Sequence, residues 1–121
     1  MNKNVDKPLK GEKLVESIIK SAQERLAEQI LVIDLRELSG VADFFIICQS
    51  DNIVHNRAIS DGIVESLKKQ NTKPWLVEGE DEGRWILIDF SDVIVHVMLP
   101  EVREYYKLEE LWTEGKIYTV D

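Results

Sequence analysis

The sequence predicts a single α/β domain, a mixed sheet of about five strands packed with three helices. Two nearly continuous apolar runs, Ile30–Leu35 and Asp43–Cys48, lie between segments whose apolar residues fall at helical spacing, the pattern of interior strands covered by helices. The stretch Arg84–Leu99, RWILIDFSDVIVHVML, reads as two β-branched and aliphatic runs, Trp85–Ile88 and Val93–Met98, around a polar Asp89-Phe90-Ser91-Asp92 centre. That is a hairpin signal. At 121 residues, 44% hydrophobic and 31% charged, the chain has globular composition and the length for one compact core, not two.

Residues 1–10, polar with lysines and Pro8, are expected as a flexible arm before a domain over 11–115. From Gly11 to Gln29, the residues Leu14, Val15, Ile18, Ile19, Ala22 and Leu26 make one apolar stripe of an amphipathic helix. Ile30–Leu35 is a strand, residues 36–41 a polar turn with Ser39-Gly40, and Asp43–Cys48 a second strand. Ser50, Asp51 or Asn52 can accept from a free first-turn amide and cap the next helix. Ile53, Ile59, Ile63, Val64 and Leu67 supply its stripe, Lys68 and Lys69 suit its C-terminal dipole, and Asn71 with Pro74 stops it. Pro74–Val77 is a short strand, followed by an acidic loop over 78–83. Pro100 is placed to start a last helix over 101–112, Gly115 to end it, and residues 116–121 form a tail or short strand.

Along the first hairpin strand, alternation puts Trp85, Leu87 and Asp89 on one face and Ile86, Ile88 and Phe90 on the other. Both faces are mostly apolar and need cover. The helices are too few to cover both sides of such a sheet, so part of one face near the hairpin and last helix is expected to stay open. Function is expected there.

Several chemistries find little support. Asp34, Asp43, Asp89 and Asp92 lie on or beside strands and invite a metal-site reading, but a spacing of three does not put Asp89 and Asp92 on one strand face. No Walker-type loop is present. His96 alternates with Ile94 and Met98, which predicts a buried ring satisfied by a hydrogen bond, and no serine sits in a Gly-x-Ser-x-Gly context. Cys48, the lone cysteine, reads as a small buried hydrophobe. No run approaches a membrane span, and residues 1–10 hold no apolar signal segment, so the expected location is the cytosol. A net charge of −8 argues against a nucleic-acid backbone and for a basic protein partner. Seven of the nine aromatics, Trp75, Trp85, Phe90, Tyr105, Tyr106, Trp112 and Tyr118, fall after residue 74; interspersed with carboxylates and Arg103, they have the composition of a protein-binding hot spot.

These residues carry a resemblance. Val77-Glu78-Gly79, Trp85, Asp89, the run Asp92-Val-Ile-Val-His-Val-Met98, Arg103 and Tyr106-Lys-Leu-Glu-Glu-Leu-Trp112, with Ala42–Ile47 upstream, resemble the ribosomal silencing factor S (RsfS, iojap) family over roughly residues 14–112. Ser91 departs from it, standing where the family commonly has glycine. The resemblance implies a nucleotidyltransferase-like fold without the catalytic motif, no enzyme activity and no cofactor. It implies a cytoplasmic repressor of translation that binds the large ribosomal subunit at its ribosomal protein fourteen and sterically blocks joining of the small subunit when nutrients are limiting. By residue match, Trp85, Leu87, Tyr106 and Leu108 would make apolar contacts, Asp89, Asp92 and Glu109 would pair with basic residues of the partner, and Val93 and Arg103 would complete the interface. The alternative of another class is a transferase or hydrolase acting on a nucleotide, which calorimetry with magnesium and nucleoside triphosphates would reveal as heat. A third reading has the open face close a homodimer.

Overall fold

The computed structural model describes residues 7–38, 40, 42–111 and 116–120, with Leu111 described by its backbone alone. Most of the expected arm, the turn residues Ser39 and Val41, Trp112 and Gly115 lie outside the described residues. Six strands form one mixed sheet: β1 (Glu28–Asp34), β2 (Phe44–Gln49), β3 (Leu76–Glu78), β4 (Trp85–Asp89), β5 (Val93–Met98) and β6 (Lys116–Val120), in the order β3-β4-β5-β2-β1-β6. Strands β2 and β5 run parallel, and every other neighbouring pair runs antiparallel. The hairpin expected at Trp85–Met98 is β4–β5, with Trp85 opposite Met98 and Asp89 opposite Ile94. The sixth strand is the segment expected as a tail or short strand; it pairs with β1, Ile33 opposite Ile117, and extends the sheet at that edge.

Helices α1 (Gly11–Glu24) and α2 (Ile53–Lys69) pack on one face, and α3 (Pro100–Tyr106) with the single turn α4 (Leu108–Leu111) follows the hairpin. Helix α1 stops short of the expected Gln29. Leu26 takes a left-handed conformation (φ 61°), its N–H donates to Gln23 O and that of Ala27 to Ala22 O, closing a Schellman turn. Leu26 is therefore exposed and not part of the buried stripe. The same turn ends α2, with Asn71 at φ 57°. At its start Asn52 Oδ1 accepts from His55 N at 2.7 Å, which settles the cap among the three candidates. The expected helix over 101–112 is broken at Lys107 (φ 46°), whose N–H donates to Arg103 O.

The sheet carries two cores. On the helix side, Leu14, Val15, Ile18 and Ala22 of α1 and Ile59, Ile63 and Leu67 of α2 meet Ile86, Ile88, Val93, Val95 and Val97. On the other side, Ile33, Phe45, Ile47, Ile94 and Met98 are covered by Leu35, Ala42, Leu99 and Val102. The shortage of cover is thus smaller than the helix count predicts, because the centre of this second face is also buried. Cys48 is wholly enclosed and its thiol is pushed up to about 12 by burial, so it stays a packed thiol. After β1, Arg36 grips Asp34 with Nε to Oδ1 at 3.0 Å and Nη2 to Oδ2 at 2.7 Å, which holds that carboxyl below its usual range.

A small polar network joins α2 to the acidic loop. Ser50 Oγ donates to Asn56 Oδ1 at 2.6 Å, and Asn56 Nδ2 donates to Gly83 O at 2.8 Å, with both side chains wholly buried. Arg57 adds hydrogen bonds to the carbonyls of Glu80 and Asp81. Asn56→Ala is expected to cost about 2 kcal/mol in urea unfolding, since it takes the donor from the buried Gly83 carbonyl and leaves Ser50 Oγ only Asn52 O, at 3.0 Å, to donate to. An unchanged unfolding midpoint would show that the network contributes nothing.

Candidate functional site

The second face is incompletely covered at the β3–β4 edge. Register puts Leu76 opposite Asp89 and Glu78 opposite Leu87, so Leu76, Glu78, Trp85, Leu87 and Asp89 share that face. Trp85 and Leu87 are half-buried against the second core, and Leu76 remains 43% exposed. Helix α3, started by Pro100 at its first position, brings Tyr105 and Tyr106 to the same edge. The rings then form a row from solvent to core. Tyr105, 80% exposed, lies 4.9 Å from Tyr106, which is 51% exposed and 4.9 Å from Trp85. Trp85 stands 5.9 Å from the buried His96, and His96 meets Phe45 edge-on at 4.9 Å.

Backbone geometry holds Trp85 in this row. Gly79 adopts φ 85°, and a side chain there would strike the Trp85 carbonyl oxygen, so glycine lets the acidic loop close against β4. Trp85 Nε1 donates to His96 Nδ1 at 3.0 Å. His96 is buried, as its alternation predicts, and burial lowers its pKa to about 4, so it is neutral. Carboxylates of Glu78 and Asp89 rim the apolar residues, and Asp89 Oδ1 also accepts from Ser91 N at 2.7 Å.

The structure gathers Trp85, Leu87, Asp89 and Tyr106 of the residues singled out above, with Leu108 packed onto the neighbouring second core. It does not gather the others. Val93 lies wholly in the helix-side core, where it touches no solvent, and Asp92 Oδ2 accepts from Gly11 N at 3.0 Å, holding the start of α1. Arg103 reaches the other way, toward β1 and β2, donating to Gln29 O at 2.7 Å and Gln49 Oε1 at 3.1 Å, with its Nε 3.7 Å from Glu109 Oε2. Leu76 and Glu78 were missed, because a strand of three residues gives too short a pattern to fix its face; only pairing with β4 reveals it. Three of the four carboxylates considered for a metal, Asp34, Asp89 and Asp92, serve separate contacts, and among the described residues no three His, Cys, Asp or Glu side chains converge to hold one. No helix among them is long and apolar enough to cross a membrane.

The sequence model of the family described as "Ribosomal silencing factor during starvation" matches residues 8–121. The chain belongs to the RsfS family. It is 37% identical over 109 residues to the ribosomal silencing factor RsfS of Bacillus subtilis, covering 87% of this chain and 92% of that one. It is 31% identical over 102 residues to the mouse protein named mitochondrial assembly of ribosomal large subunit protein 1, covering 82% of this chain and 45% of that longer one. The fold is similar to a crystal structure from Chromobacterium violaceum at a TM-score of 0.84 and 28% identity, over 87% of this chain and 88% of that one. RsfS relatives are thus named for a regulatory role at the ribosome and not for an enzymatic one.

Proposed function

We propose that this RsfS-family chain binds the large ribosomal subunit through the Trp85–Leu87–Tyr106 surface, seated on ribosomal protein fourteen of that subunit, and keeps the small subunit from joining by occupying its docking face. It would act in the cytoplasm, repress translation when nutrients are limiting and need no turnover. The observation that carries this reading is the row of partly exposed aromatics at the β3–β4 edge, rimmed by Glu78 and Asp89, in a chain of a ribosomal silencing family. Aromatic anchors supply most of the energy at such contacts. Carboxylates around them, on a chain of charge −8, favour a basic protein and repel the surrounding RNA phosphates.

Sedimentation tests it. The protein mixed with isolated large subunits is expected to co-migrate with them, and small subunits added afterwards are expected to remain unjoined. Protein left at the top of the gradient, or subunits that join at their normal level, would refute the proposal.

A further inference from the structure

We propose that His96 is a positioning residue for the partner-binding surface: from the neighbouring strand β5, on the same face of the sheet, its ring fixes the Trp85 indole in the orientation that the partner meets. The inference rests on the function proposed above. An indole N–H can only donate, so His96 Nδ1, 3.0 Å from Trp85 Nε1, is the acceptor, and the proton of the neutral ring sits on Nε2. That second nitrogen is buried and has no hydrogen-bonding partner among the described residues. A buried donor without an acceptor is unfavourable, and an aliphatic side chain in its place would carry no such penalty.

Its neighbours make the choice of histidine more pointed. Along β5 the same face holds Ile94 and Met98, and the directly paired residues are Leu87 on β4 and Ile47 on β2, all apolar. Stability alone therefore favours an apolar residue at 96. What histidine adds is one acceptor aimed at Trp85, on a ring that is itself seated edge-on against Phe45 at 4.9 Å. Trp85 is then held by the His96 acceptor at its polar edge and by Tyr106 at 4.9 Å. A side chain already fixed in its bound orientation loses less freedom when the partner arrives. The depressed pKa of His96 agrees, because only the neutral ring leaves Nδ1 free to accept.

The test separates holding the indole from holding the fold. In the full chain labelled with 15N at its indoles, the Trp85 proton, assigned by its loss in Trp85→Phe, is expected to exchange with water slowly. The proton of Trp75, which is 80% exposed, is expected to exchange fast. His96→Leu is expected to unfold at the same temperature as the parent or higher, to bring Trp85 exchange to the Trp75 rate, and to weaken binding to isolated large subunits about fivefold. His96→Gln, which keeps an acceptor, is expected to restore slower exchange and most of the binding. Fast Trp85 exchange in the unaltered protein, or a His96→Leu variant that fails to fold, would overturn the positioning role. Trp85→Ala run alongside distinguishes the two claims. If it loses binding while His96→Leu keeps it, the positioning role falls and the surface stands; if Trp85→Ala itself keeps full binding, the surface falls and the role of His96 falls with it.

Discussion

Trp85→Ala is expected to weaken binding to isolated large subunits at least about tenfold, the loss typical of a single aromatic anchor at the centre of a contact. Trp85 is suited to that role because it is only partly buried, packed against the second core and beside Tyr106, with its N–H tied to His96. The same geometry bounds the stability cost. Truncating a fully enclosed tryptophan costs about 3–5 kcal/mol; one that keeps part of its surface in solvent is expected to cost less, about 2–3 kcal/mol in urea unfolding. Large loss of binding with modest loss of stability supports an interface. Unchanged binding removes Trp85 from it, and a stability loss of full core size would make Trp85 a packing residue whose effect on binding is secondary. Tyr106→Ala, which removes the neighbouring half-exposed ring, is expected to weaken binding in the same direction with less effect on stability.

The sequence carried the hairpin and the division of its faces, because alternation over two long apolar runs groups Ile86, Ile88 and Phe90 apart from Trp85 and Leu87; with both faces apolar it did not say which one is fully enclosed, and the packing of α1 and α2 over the first group decides that. It carried α2 because Asn52 and Asn71 mark its ends by local chemistry. The end of α1 was illegible for the complementary reason. Leu26 occupies the left-handed closing position that glycine usually takes, so no residue type at that position marks the end of the helix. The break at Lys107 is of the same kind. Edge strand β6 could not be distinguished from a tail, since the burial pattern of Lys116–Val120 is nearly all exposed and its strand character comes from pairing with β1. For the site, residue matching located the aromatic row but could not sort surface from core. Val93 and Asp92 share their run with residues of the hairpin, yet face the helix-side core and the start of α1.

The other large effect expected concerns acid. Unfolded, His96 takes up its proton near the ordinary 6.5; folded, burial delays that uptake to about 4. Between those values the unfolded chain holds more protons than the folded one, so each step down in pH favours unfolding. Stability is expected to be unaffected by this group above about pH 6.5, to fall by on the order of 3 kcal/mol between pH 6.5 and 4, and to lose nothing further from it below that. Asp34 works in a lower window: its carboxyl is held down by Arg36, so its contribution is present above 3.8 and drains away as pH drops below that value. Urea unfolding of the parent and of His96→Leu across pH 7 to 4 isolates the histidine, because Asp34 is common to both and cancels. The two curves are expected to converge at neutral pH or favour the leucine variant slightly, then separate steadily on acidification, with the leucine variant the more stable. Parallel curves throughout would mean that His96 titrates alike in the folded and unfolded chain, which its enclosure between Trp85 and Phe45 does not allow.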